Sequence, residues 1–416
     1  MAGLRNDKRV LIYSHDSFGL GHLRRCREIA HALVEAEQNL SVLILSGSPI
    51  IGSFDFRARV DFVRIPGVIK LRNGDYTPLK LHIDIEQTMA MRASIIEHTA
   101  KIYDPDLFLV DKEPLGLRGE VENTLAMLNA RGTPCVLGLR DVLDEPALLV
   151  PEWERKRAVP ALTRYYHDIW IYGLPQIYDP LQGVAIPDSV RGRVTYTGYL
   201  PRHVPQAAPD VALEKIAEPY LLITVGGGGD GAQIVDWVLR AYESDPELPY
   251  PALLVLGPFM ASERQNEFLA RASRLPKIEA ITFEARMESL MDRALGVVCM
   301  GGYNTFCEIL SFNKRALVVP RTEPRMEQYI RATRAAQLGL VGVLPDDGRR
   351  DARAMATALR TLPQRLPPGE TVVPGLLDGR DNVIKLARQW LYRRRRSFGL
   401  AAGAGGARAA WRFRLR

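Results

Sequence analysis

The stretch SHDSFGLGHLRR, residues 14–25, leaves a short apolar run through two glycines and a histidine, then begins a helix with two arginines. At the first turn of that helix the dipole disfavours imidazolium, so His22 is expected to be neutral near pH 7. A neutral imidazole can take a proton from an attacking hydroxyl, the role of a general base. Asp16, earlier on the same loop, can orient His22 or serve as the base itself. A lone histidine is also a common structural residue; its place at a glycine turn after the first strand favours the catalytic reading. Arg24 and Arg25 are mildly unfavourable at a helix N-terminus. A nearby pyrophosphate or acidic substrate explains them better than a surface helix does.

Two further stretches can bind a ligand. YLLITVGGGGDGAQIVDWVL, 220–239, reads as a strand, a glycine turn and a helix. Glycines allow close approach to a phosphate, and the helix start offers free N–H groups. Gly226, Gly228 and Gly231 satisfy GxGxxG, but the next strand ends LLVLGPFM without the acid that a dinucleotide ribose needs about 20 residues on. NAD is therefore not expected; a tight turn without ligand is the plainer alternative. The second stretch is VVCMGGYNTFCEILSFNKRALVVPRTEPRMEQ, 297–328. A strand exits into Gly301 and Gly302, a helix is expected to open near Asn304 or Thr305, and Glu308 lies about one turn in. A carboxylate there can accept bonds from both ribose hydroxyls while the helix N-terminus faces phosphate. Thr305-x-x-Glu308 is equally a capping box, which would use Glu308 to cap its own helix. Beyond Pro320, a polar loop carries Arg321, Arg325, Glu327 and Gln328.

The elements that must position these residues alternate short β-rich runs with helix-period segments, the pattern of parallel α/β architecture. Strands are expected at 9–14, 41–46, 60–65, 107–111, 135–139 and 169–172, with helices at 23–36, 84–103 and 119–130. A Pro-rich linker follows at 201–218. A second series starts there, with strands at 220–225, 252–256, 278–283, 297–300 and 316–320 and a closing amphipathic stretch at 381–392. Two Rossmann-like domains are expected, 1–200 and 219–392, facing each other across a cleft that takes the ligand.

Composition narrows the function classes. The 416 residues carry 55 Lys and Arg against 48 Asp and Glu, a net charge of +7. Eight arginines lie at 393–416, and without them the body stands at −1. The basic footprint is thus a tail of Gly, Ala and Arg, expected to be disordered, and specific nucleic-acid binding is not expected. Its arginines alternate with Trp411 and Phe413, so it either touches anionic lipid or is a solvated extension. Four scattered cysteines without a CxxC pair suit a reducing compartment and argue against a zinc site. The first strand begins too early for a signal peptide, and no apolar run approaches the ~18 residues that span a bilayer. A cytoplasmic protein is expected, with peripheral contact at the inner face of a membrane as an option.

The 297–328 stretch resembles the C-terminal domain of GT-B glycosyltransferases. It is most similar to the group containing the lipid II-forming N-acetylglucosaminyltransferase and the plant monogalactosyldiacylglycerol synthases. Gly302, Thr305 and Glu308 match that group's G-x-x-T-x-x-E, whose glutamate grips the ribose. Glu327 and Gln328 stand where a D/Q-Q pair reaches the donor sugar. Gly227, Gly228 and Gly229 stand where a GGSxG loop lies near the pyrophosphate; Asp230 departs from it, since an acid beside phosphates is unfavourable unless it turns away. The resemblance implies a GT-B fold, a nucleotide-sugar donor that is UDP-linked, and a hydroxyl acceptor. It implies neither cofactor nor metal, the leaving diphosphate being stabilised by helix dipoles and cations such as Arg321. Gly21 and Asn304 join the donor contacts, and His22 with Asp16 supplies the base. Relatives point to cell-envelope or capsular polysaccharide synthesis.

GLGHLRRC is also similar to the GxGHxxRC turn of nucleotide-sugar hydrolases from sialic-acid-like sugar and spore-coat polysaccharide pathways, where the histidine activates water. Length favours the transferase, as do the insertions 68–82 and 145–157 with their apolar and basic residues. A sensor that keeps only the fold is disfavoured by the presence of both His22 and Glu308. An epimerase of the same fold ranks last, since His203 stands alone near the linker.

Overall fold

The computed structural model describes residues 7–15, 20–71, 75–204 and 219–393. Asp16, most of the expected linker and the tail beyond Arg393 lie outside the described residues.

The first half forms a seven-stranded sheet in the order β3-β2-β1-β6-β7-β8-β9. Its strands are β1 (Lys8–Ser14), β2 (Leu40–Ser46), β3 (Val60–Arg64), β6 (Leu107–Asp111), β7 (Cys135–Arg140), β8 (Asp168–Tyr172) and β9 (Val194–Tyr196). Every pairing is parallel. Strands covered by helices on both faces bury every position, so they read as continuous apolar runs; LFLVD in β6 is buried throughout. Between β3 and β6 a small antiparallel hairpin, β4 (Val68–Lys70) with β5 (Tyr76–Pro78), rises from the 68–82 insertion.

The second half repeats the plan with six strands ordered β12-β11-β10-β13-β14-β15. These are β10 (Leu221–Thr224), β11 (Ala252–Val255), β12 (Ile278–Ile281), β13 (Gly296–Cys299), β14 (Ala316–Val318) and β15 (Gly342–Val343). In each sheet the strand order reverses beside the first strand, between β1 and β6 and between β10 and β13. Ligands of open parallel sheets bind outside the carboxyl ends at that reversal. The tips of β1, β6, β10 and β13 therefore mark where the two halves should hold one ligand.

The halves are joined by a continuous core. Tyr199 stacks on Tyr303 with centroids 6.0 Å apart and meets Phe306 edge-on at 5.1 Å. The last helix, Gly379–Leu391, returns to the first sheet: Asn382 donates to Thr197 O at 2.9 Å and Trp390 Nε1 to Asp168 at 3.3 Å. Among the described residues no helix is long and apolar enough to cross a membrane.

Candidate active site

The carboxyl ends of the two sheets enclose a cleft of about 600 Å³. Gly21, His22, Gly227, Gly228, Gly229, Gly302, Asn304, Thr305, Glu308, Arg321, Glu327 and Gln328, separated by up to three hundred positions in sequence, all line it. Asp16 is the one expected site residue outside the described set.

The histidine's partner is Asp111. The helix Gly21–Ala36 begins at Gly21, which places His22 in its first turn, and Asp111 ends β6 beside β1. His22 Nδ1 lies 2.5 Å from Asp111 Oδ2. A carboxylate only accepts, so Nδ1 carries the proton and Nε2 is left as an acceptor. Arg25 grips the other carboxylate oxygen through Nε at 2.9 Å and Nη2 at 2.6 Å. Burial pushes the Asp111 carboxyl up, but Arg25 and then His22 outweigh it and hold the group well below the usual carboxylate range. Burial lowers His22, and the pull of Asp111 does not restore it, so the imidazole is neutral at pH 7. Neutrality was expected from the helix dipole; desolvation is the larger cause.

On the opposite wall the glycine loop is shaped by contact with a second glycine turn. Gly228 has φ +89°, and a Cβ there would sit 2.3 Å from Leu256 O; a Cβ on Gly257 would sit 2.5 Å from the Gly227 carbonyl carbon. Neither position accepts another residue without displacing backbone. The loop runs into the helix Ala232–Ser244, whose first turn carries no acid. Asp230 is turned onto Arg321, which also donates to Glu327 Oε1 at 2.7 Å. The acid that departs from the GGSxG pattern is thus neutralised by its own cation, and Arg321 is committed to two carboxylates.

Glu308 does not cap its helix. The helix runs Tyr303–Ser311 with Gly302 at its N-cap, so Thr305 lies inside the first turn and the capping box cannot form. Glu308 is 1% exposed and accepts from Arg24 of the first domain, whose guanidinium also donates to Glu288 at 2.8 Å. Burial and the neighbouring Glu288 push Glu308 upward against the pull of Arg24. The two arginines Arg24 and Arg25 therefore answer three acids, Glu288, Glu308 and Asp111, rather than a solvated face. Asn304 spends its side chain between domains, donating to Gly21 O at 3.0 Å and accepting from Arg202 at 2.8 Å.

Two further cations, Arg325 and Arg331, are placed differently. Arg325 does not line the cleft; it pairs with Glu152 at 2.9 Å and Asp144 at 3.4 Å. Arg331, not singled out in the sequence, lines the cleft and forks onto Asp141 at 2.7 and 2.5 Å. Both partners are essentially unexposed. Asp111 was readable only as the end of an apolar strand. The available signal was an acid at the tip of the strand that pairs with β1. Among the described residues no three His, Cys, Asp or Glu side chains gather as a metal site.

Residues 222–360 match the model of the glycosyltransferase family 28 C-terminal domain. No curated protein matches the chain. Solved structures resemble it over nearly the whole length at low identity. The glycotransferase of kitacinnamycin aligns with a TM-score of 0.61 at 14% identity, covering 93% of this chain and all of that one. The Medicago truncatula UGT71G1 complexed with UDP-glucose aligns at 0.59 and 14%, covering 94% of this chain and all of its own. MurG of Acinetobacter baumannii aligns at 0.54 and 14%, covering 92% of this chain and 99% of its own. The fold is GT-B: two Rossmann-like domains with a cleft between their strand tips.

Proposed function

We propose that the chain is a glycosyltransferase that moves a sugar from a nucleotide diphosphate, UDP-linked, to a hydroxyl acceptor. The observation that carries this reading is the His22–Asp111 pair standing in the same cleft as the glycine loop and Glu308. In this mechanism the acceptor hydroxyl gives its proton to His22 Nε2 as its oxygen bonds to the anomeric carbon. The bond from that carbon to the diphosphate oxygen breaks, and the diphosphate leaves with the electron pair. Asp111 keeps the Nδ1 proton in place and stabilises the imidazolium that forms. Backbone N–H groups of 227–229 and the helix starts at Ala232 and Tyr303 receive the developing charge. Glu308 takes the ribose hydroxyls, displacing or sharing Arg24, while Glu327 and Gln328 contact the donor sugar.

The donor domain is 219–392 and the acceptor domain 1–200. The 68–82 and 145–157 insertions form acceptor surface, which the exposure of Leu71, Leu81 and Leu148 supports. A role in envelope or capsule polysaccharide synthesis follows from the family resemblance; cysteine usage favours a cytoplasmic site, with peripheral contact at the inner membrane face as an option. The GLGHLRRC turn supports a second reading, in which His22 activates water and the chain is a nucleotide-sugar hydrolase. Calorimetric titration with UDP, GDP and dTDP tests the donor site. One of the three is expected to bind clearly better than the others; equal or absent binding would remove the nucleotide-sugar reading in both forms.

A further inference from the structure

Five arginines line the cleft: Arg24, Arg25, Arg140, Arg321 and Arg331. Four have carboxylate partners: Glu288 and Glu308 for Arg24, Asp111 for Arg25, Asp230 and Glu327 for Arg321, and Asp141 for Arg331. No ion pair or side-chain hydrogen bond joins Arg140 to another described residue, and its Nε is buried without a partner. Arg140 is half-buried, and a guanidinium left there without a counter-ion is costly, a cost that an anionic ligand group would offset.

Arg140 ends β7, next to the β6 tip that carries Asp111, so it belongs to the wall that holds the base. The charged groups facing it are Glu327, Arg331, Arg25 and Asp141, with Lys112 beside it. Arg331 with Asp141 and Arg25 with Asp111 are closed pairs. Lys112 adds positive charge: burial, with Arg140, Arg325 and Lys156 acting the same way against Glu113, brings its ammonium down to about 8. Glu327 is the remaining acid, and its Oε1 is taken by Arg321 while its Oε2 is buried with no partner. Around Arg140 the cleft thus presents an unmatched carboxylate oxygen on Glu327, suited to a sugar hydroxyl, and an unmatched guanidinium, suited to an anionic oxygen. The diphosphate has its own cradle on the other wall, built from the glycine loop and two helix starts.

We propose that Arg140 binds a carboxylate group carried by one of the two sugars that meet in the cleft. A planar fork of donors recognises such a group with two parallel bonds, which a neutral sugar cannot supply. This inference rests on the transferase reading only for the identification of the cleft as a sugar site.

The test is calorimetric titration of the full chain with two matched pairs and one control. The donor pair is UDP-glucuronic acid against UDP-glucose. The acceptor pair is methyl β-glucuronide against methyl β-glucoside, measured with UDP present, and UDP alone is the control. The acidic member of one pair is expected to bind on the order of tenfold more tightly. Arg140→Gln should erase that preference, Arg140→Lys should keep part of it, and UDP affinity should stay within about twofold. The melting temperature of Arg140→Gln should equal or exceed that of the parent, because a half-buried charge without a counter-ion has gone. Which pair discriminates says whether the transferred or the accepting sugar is acidic. Absence of preference in both pairs, a preference that survives Arg140→Gln, or a tenfold loss of UDP affinity would each overturn the proposal, the last by making Arg140 a diphosphate clamp. An Arg140-dependent preference without sugar transfer would leave the inference standing and remove the transferase reading. Transfer without any acid preference would do the reverse.

Discussion

The two walls of the cleft are built from different materials. The second-domain wall combines glycine loops and helix starts with the buried side chains of Glu308, Glu327 and Arg331. The first-domain wall is side chains throughout, the neutral His22 and the charged Arg25, Asp111 and Arg140, delivered by one helix and two strand tips. The glycine loops and helix starts themselves bury no charge and need no counter-ion when empty. Buried side chains must balance their charges, and among the described residues every cleft arginine except Arg140 has a carboxylate partner. The difference suits a division of labour in which one wall holds a constant diphosphate and the other holds the variable, reacting group.

If the walls divide the work this way, substitutions on the first should change rate and stability and those on the second should change nucleotide affinity. The largest effect belongs to Asp111→Ala, which strands Arg25 and frees the His22 tautomer. Unfolding free energy should drop by about 3–5 kcal/mol in urea titration, the usual cost of breaking a buried pair. His22→Ala comes next: steady-state assays should lose about 100-fold or more in turnover with nucleotide affinity nearly unchanged. An unaltered rate would take His22 out of the mechanism. Glu308→Ala should weaken nucleotide binding by about 1–3 kcal/mol, read by calorimetry. A lower melting temperature with intact affinity would reduce Glu308 to a partner of Arg24, and the contrast between the walls would blur.

The smallest effect is on pH. Burial lowers His15, His22, His31 and His167 below 6.5, His31 to about 4. The unfolded chain therefore takes up protons that the folded chain refuses, so this stabilisation is complete above about pH 6.5 and declines as pH falls. His31 alone should cost about 1 kcal/mol between pH 7.5 and 5.5, visible as a lower denaturation midpoint. The acid limb of the activity profile should lie below the pH at which a free imidazole titrates, since burial lowers His22.

The backbone wall was legible in the sequence because its signals are local. GGGGDG between a strand and a helix and GGYNTFCE after another strand are contiguous, and the spacing alone carries them. Most strands were legible too, since parallel strands buried on both faces are unbroken apolar runs. What escaped is what the sequence does not hold together. The hairpin of β4 and β5 and the short edge strands β9 and β15 bury too little to show a pattern. Asp111 is 89 residues from His22 in the chain and meets it only because β6 crosses over to pair with β1. Arg140 looked like any residue at a strand end. The Thr305-x-x-Glu308 ambiguity was one of register: starting the helix at Tyr303 moves both residues inward and leaves Glu308 free to face the other domain.

The most direct measurement follows the fate of the sugar. Purified protein is incubated with UDP-, GDP- and dTDP-sugars, without acceptor, while free nucleotide and free sugar are quantified together for the parent and for His22→Ala. The transferase account predicts tight binding of one nucleotide family with only slow leakage of free sugar. Fast, stoichiometric release of nucleotide and free sugar, abolished in His22→Ala, would contradict it and make the same His22–Asp111 pair the water-activating site of a hydrolase.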